Sequence, residues 1–152
     1  MDDEAGFTLI EIICVLAIVG LLAAIALPMF PTSTSRARLE GYAVDIAALL
    51  KGDRNAAIRS RAPVATVLNA QNRTVRSGAN RGSVQLPVDV AFDAILAQRC
   101  GERRVGATID FFPSGMSCGG TIALSRQGVG FQIRVNWLTG GVEIVSADKP
   151  QG

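Results

Sequence analysis

The apolar residues of this chain fall into three stretches with three different periods. From residue 7 to residue 27 they are almost continuous, with Thr8 and Glu11 as the polar interruptions. A bilayer core takes about 20 apolar residues to cross as a helix, so this run predicts a membrane-spanning helix. It has no polar stripe, and the remaining chain is too small to surround it as a core helix. Pro28 and Pro31 follow, and each predicts a kink or break, because proline lacks an amide donor and clashes with the preceding turn.

The second stretch is helical in period. Leu39, Tyr42, Ala43, Ile46, Leu49 and Leu50 recur at spacings of three and four, which predicts an amphipathic helix ending near Arg61. Its charged residues, Arg36, Arg38, Glu40, Asp45, Lys51, Asp53 and Arg54, are assigned to the other faces. From Pro63 onward the period becomes two. Strands are expected at 64–68, 83–86, 90–96, 107–112, 120–125 and 131–137. The last runs through Thr139-Gly140-Gly141 into a partner strand at 142–144, as a hairpin. The polar stretch 71–83 predicts a loop. Helices followed by a small antiparallel sheet or β-sandwich make an α+β chain.

Composition changes this picture in two places. Of 152 residues, 49% are hydrophobic, an ordinary fraction that hides their concentration in the first run. The net charge of +2 hides an acidic start, Asp2, Asp3 and Glu4, before a chain whose remaining charges are mostly arginine. There is no histidine. That excludes Ser-His-Asp and Cys-His catalysis and the HExxH zinc motif. Gly115-Met116-Ser117-Cys118-Gly119 fits G-x-S-x-G, but a hydrolase elbow needs a following helix and a base. No catalytic residue, metal site or cofactor site is expected. Cys100 and Cys118 lie 18 positions apart. In an exported domain they read as a disulfide, for which loop closure suggests about 3 kcal/mol; in a cytosolic one they read as two buried thiols.

Glu11 is the residue the apolar run does not explain, since a carboxylate at a bilayer centre costs roughly 2.5–3.5 kcal/mol. Its surroundings, Gly6-Phe7-Thr8-Leu9-Ile10-Glu11 and then the apolar run, resemble the prepilin motif of type IV pilins and the pseudopilins of type II secretion. The resemblance implies that prepilin peptidase cuts after Gly6 and methylates the new amino terminus at Phe7. A cleaved secretory signal, by contrast, begins with bases and is cut after its apolar run. The resemblance also assigns Glu11 the pairing with an N-terminal amine, from its own or a neighbouring subunit, that sets filament register. The leader departs from the family in carrying acids in place of a Lys or Arg, and Arg36 and Arg38 oppose the expected orientation on positive-inside counting.

A second pattern narrows the resemblance. Phe111-Phe112-Pro113-Ser114-Gly115-Met116-Ser117, then Gly119-Gly120-Thr121-Ile122-Ala123-Leu124, then Ile133-Arg134-Val135-Asn136-Trp137-Leu138-Thr139-Gly140-Gly141-Val142 is similar to the carboxy-terminal region of H-type minor pseudopilins. Related minor pilins share this domain. The implied fold is pilin-like. Its expected parts are a leader (1–6), a transmembrane half-helix (7–30), an amphipathic periplasmic half-helix (31–61) and a periplasmic β domain (62–152). Were the two halves one helix from Phe7 to about Arg61, it would measure about 80 Å. The implied role is a minor subunit of the type II secretion pseudopilus, single-pass in the bacterial inner membrane. Implied partners are prepilin peptidase, other pseudopilins and the inner-membrane platform. The alternative is a minor type IV pilin, possibly in DNA uptake, with Arg54, Arg59, Arg61, Arg73, Arg76 and Arg81 as phosphate contacts.

Overall fold

The computed structural model describes residues 8–26 and 34–148. The expected leader, the Gly6–Phe7 junction, the break at Pro28 and Pro31 and the residues after Asp148 lie outside the described ones. The chain divides into two compact units, Met1–Ser33 and Thr34–Gly152.

The first unit holds helix α1 (Leu9–Ala26), apolar except for Glu11. Every side chain described in it is exposed. Its 18 residues rise about 27 Å, a little short of the roughly 30 Å of a hydrocarbon core. No helix among the described residues is long and apolar enough to cross a membrane. The expected span, 7–30, takes in residues at both ends that lie outside the described ones.

The second unit begins with helix α2 (Arg36–Ser60). Ser35 caps it, accepting a hydrogen bond from the Arg38 amide through its side chain, and Arg61 ends it in the left-handed conformation. Ten strands follow: β1 (Val64–Asn69), β2 (Thr74–Arg76), β3 (Ser83–Gln85), β4 (Ala91–Leu96), β5 (Arg99–Cys100), β6 (Arg103–Arg104), β7 (Thr108–Phe111), β8 (Gly120–Arg126), β9 (Val129–Val135) and β10 (Val142–Ser146). They build two four-stranded antiparallel sheets, ordered β3-β2-β1-β7 and β10-β9-β8-β4, and a separate two-stranded ribbon, β5-β6.

The helix packs on both sheets. Its buried positions are Leu39, Ala43, Ile46, Ala47, Leu50, Asp53 and Ala57, a stripe at helical spacing. The sheets supply Leu68, Val75, Ile109, Phe111, Ile122, Leu124, Phe131 and Ile133 to the same core.

Two expectations need correction. The stretch 71–83 contains β2, because Val75, fully buried, pins one turn of it to the core. Asp53, assigned to an outer face for its charge, lies on the buried stripe at 1% exposure.

Candidate functional site

At the start of α1, the Thr8 carbonyl accepts hydrogen bonds from the amides of Glu11 (3.1 Å) and Ile12 (3.3 Å). Glu11 is thereby in the first turn, where the helix carries partial positive charge and an acid is favoured. Thr8-x-x-Glu11 also has the spacing of a capping box. The Glu11 side chain is exposed and enters none of the ion pairs among the described residues. Gly6 and Phe7 lie outside those residues, so the structure does not set either beside Glu11.

Within the second unit, two adjacent residues of α2 fasten opposite parts of the β structure. The buried Asp53 carboxylate accepts from Thr66 Oγ1 on β1 (2.6 Å) and from Ser77 Oγ. It also accepts from the backbone amides of Gly78 (3.0 Å) and Ala79 (3.3 Å). Four donors surround a group that would otherwise be expensive to bury. Gly78 is required here, since a Cβ would stand 2.2 Å from the Ala65 carbonyl oxygen. Next along the helix, Arg54 Nε donates to the carbonyls of Gly115 (3.0 Å) and Thr139 (3.1 Å). Arg54, expected among the candidate phosphate contacts, is thus half-buried and bound to two loops. Arg59, Arg61, Arg76 and Arg81 are exposed, and Arg73 sits in a left-handed turn ahead of β2.

The N-terminal end of the unit is pinned as firmly. Asp89 accepts from the Thr34 amide and hydroxyl, both at 2.9 Å, and pairs with Arg126 Nε at 2.8 Å. Arg126 also donates to the Thr34 carbonyl at 2.6 Å. Beside it, Arg36 pairs with Asp148 at 3.0 Å and lies over the Phe131 ring at 5.8 Å. The Thr34 amide, ahead of the hydroxyl and Arg126, holds the Asp89 carboxyl below its ordinary value. The Gly130 amide, ahead of Arg36, does the same for Asp148. Sequence reasoning had no signal for either acid, since their partners lie 55 and 112 positions away.

Cys100 and Cys118 are joined as a disulfide, with Cα atoms 5.5 Å apart. Ser117, the serine of the G-x-S-x-G string, is buried between β7 and β8; it donates to the Asn136 carbonyl and accepts from the Gly119 amide, each at 3.0 Å. Its hydroxyl is spent on the turn. Among the described residues, no group of three or more acids and cysteines is placed to hold a metal ion.

Comparison with known proteins fits this geometry. Residues 1–27 match the prokaryotic N-terminal methylation motif. Over 138 residues the chain is 28% identical to type II secretion system protein H of Xanthomonas campestris pv. campestris, covering 90% of this chain and 80% of that one. The minor pseudopilin EpsH of the Vibrio cholerae type II secretion system superposes with a TM-score of 0.55 at 11% identity, over 72% of this chain and 94% of that one. The type IV minor pilin FimU of Pseudomonas aeruginosa gives 0.54 at 14% identity, over 76% and 97%. The chain is a type IV pilin-like protein, similar along most of its length to the H-type minor pseudopilin of type II secretion.

Proposed function

We propose that the protein is a minor pseudopilin, a structural subunit of a type II secretion pseudopilus and not a catalyst. The observation that carries this is the likeness to protein H across 90% of the chain, with the methylation motif at its start. In this reading prepilin peptidase cuts between Gly6 and Phe7 and methylates Phe7. The subunit sits in the bacterial inner membrane by residues 7–30, with residues 31–61 and the β domain, 62–152, in the periplasm. The wholly exposed apolar surface of α1 finds its partners in the helices of other pseudopilins. The inner-membrane platform feeds subunits into the filament.

Glu11 sets the register. Cutting before Phe7 creates an ammonium about 6 Å from Glu11 along the helix axis. Each charge alone is costly in lipid, so the two pair, within one subunit or between neighbours. Removing the charge is separable from disturbing the helix start, because glutamine keeps the capping-box geometry. Glu11→Gln is therefore expected to leave the second unit folded and the protein in the membrane, yet to abolish its recovery in sheared pseudopili. Recovery at wild-type levels would contradict the role of Glu11.

The likeness to FimU supports a second reading, a minor type IV pilin, with nucleic acid as a partner if it serves DNA uptake. Deleting the gene separates the two: loss of an exported protein from the medium supports secretion, and loss of surface pili with secretion intact supports the pilus.

A further inference from the structure

The ribbon β5-β6 pairs with no other strand. Its register sets Arg99 opposite Arg104 and Cys100 opposite Arg103. Successive side chains on a strand point to opposite faces, so the two pairs face opposite ways. Cys100 is bonded to Cys118, and Arg103 reaches the buried Asp110 at 3.1 Å. That face looks onto the body of the unit. Arg99 and Arg104 therefore project from the outer face, and both are exposed.

This arrangement opposes local stability. Cross-strand partners have Cβ atoms about 4.5–5.5 Å apart, and like charges directly opposite destabilise the pair. An isolated two-stranded ribbon is marginal to begin with. Elsewhere in the unit the register is balanced: Glu143 on β10 stands opposite Arg134 on β9. None of the ion pairs among the described residues involves Arg99 or Arg104. The disulfide holds in place two neighbouring guanidinium groups with no acid of their own.

Next to the ribbon lies an open groove of about 810 Å³. Its apolar wall includes Ile95, 76% exposed, and Trp137, 62% exposed, and Glu143 lies on its lining. Exposed tryptophan and arginine side by side are the residue types that dominate protein–protein contacts. The groove sits at the far end of its sheet from Thr34. β4 runs from Ala91, opposite Ser125, to Leu96, opposite Gly120, and Arg126, next to Ser125, binds the Thr34 carbonyl. A phosphate backbone running through the groove would meet Glu143, and one exposed tryptophan offers no track of stacking surfaces. A polypeptide with its acids at one end meets no such conflict.

We propose that this groove receives an extended segment of another protein, its apolar side chain against Trp137 and Ile95 and its adjacent carboxylates on Arg99 and Arg104. The proposal deepens the pseudopilin reading by giving the chemistry of one partner segment. Trp137 is the single tryptophan of the chain, so its fluorescence reports the groove directly. The full-length protein in detergent is titrated with a panel of short extended peptides, each an apolar residue followed by two aspartates. Matched peptides carrying lysines, and a thymine oligonucleotide, are titrated alongside. Saturable changes in Trp137 emission are expected with the acidic panel alone, weakening as salt rises. Arg99→Glu combined with Arg104→Glu should lower that affinity by about tenfold or more, whereas the double lysine variant should stay within about threefold. All four positions are exposed, so an unchanged melting transition serves as the folding control. No saturable change with any acidic peptide, equal binding of the lysine peptides, tighter binding of the oligonucleotide, or an unaltered affinity after charge reversal would each overturn the proposal. None of these outcomes bears on Glu11 or on filament recovery, so failure here is distinct from failure of the pseudopilin reading.

Discussion

The two helices of this protein solve opposite problems with the same backbone. In α2 an apolar stripe of seven positions, one of them an acid, is closed over by two sheets, and the exposed faces carry the charges. In α1 the apolar residues go all the way round and every described side chain is exposed. Burial of a Leu or Ile side chain is worth about 1.5–3 kcal/mol, so α2 accounts for its own stability within the chain. α1 leaves that free energy unspent, which only an environment outside the chain can supply. The stability of the β unit and the fate of α1 are thus separate questions, with separate experiments.

The sharpest way to break the α2 side is Asp53→Ala. It strands two hydroxyl and two amide donors on β1 and the loop that follows β2. The expected loss is about 3–5 kcal/mol, read by urea or thermal melting. Asp53→Asn, which keeps acceptors but loses charge, should fall between that variant and the wild type.

A smaller effect is expected from acid. Asp89 and Asp148 have folded values below the ordinary 3.8. Such groups stabilise the folded state above the unfolded value, and the contribution is lost as pH falls through the folded one. Melting should therefore be nearly flat from neutral pH down to about 5 and should drop below 3.8. Asp89→Asn should melt lower at neutral pH and show a shallower acid slope. An unchanged slope would mean that the Thr34 junction contributes nothing.

The smallest effect tests the α1 side. Leu16→Ala, on a helix with no partner inside the chain, should change melting of the β unit by less than about 0.5 kcal/mol. The same truncation at Ile46 should cost about 2–5 kcal/mol. Equal losses would mean that the two units share a core.

Much of this was legible in the sequence because the periods are clean. The alternation at 131–135 became β9, the three- and four-residue spacing became α2, and the strand candidates at 64–68, 90–96 and 120–125 all formed. What escaped had a physical reason. Asp53 was assigned outward on its charge, although the spacing 46, 50, 53, 57 already placed it inward. The donors that reverse that assignment are 13 to 26 positions away. β2 has one apolar anchor, Val75, too little for a period. The ribbon Arg99–Arg104 has no alternation at all and depends on a cross-link to Cys118. The methylation motif was readable because it is local, and the Thr34, Asp89 and Arg126 cluster was not because it is assembled from three distant segments.

The central claim is that the apolar helix is kept, trimmed at its front and read as an assembly element. Mass spectrometry of the protein purified from its native envelope tests this most directly. The account predicts a mature chain that begins at Phe7, bears one added methyl group on its amine and retains all of α1. A chain that keeps residues 1–6, or one that begins beyond Pro31, would contradict it.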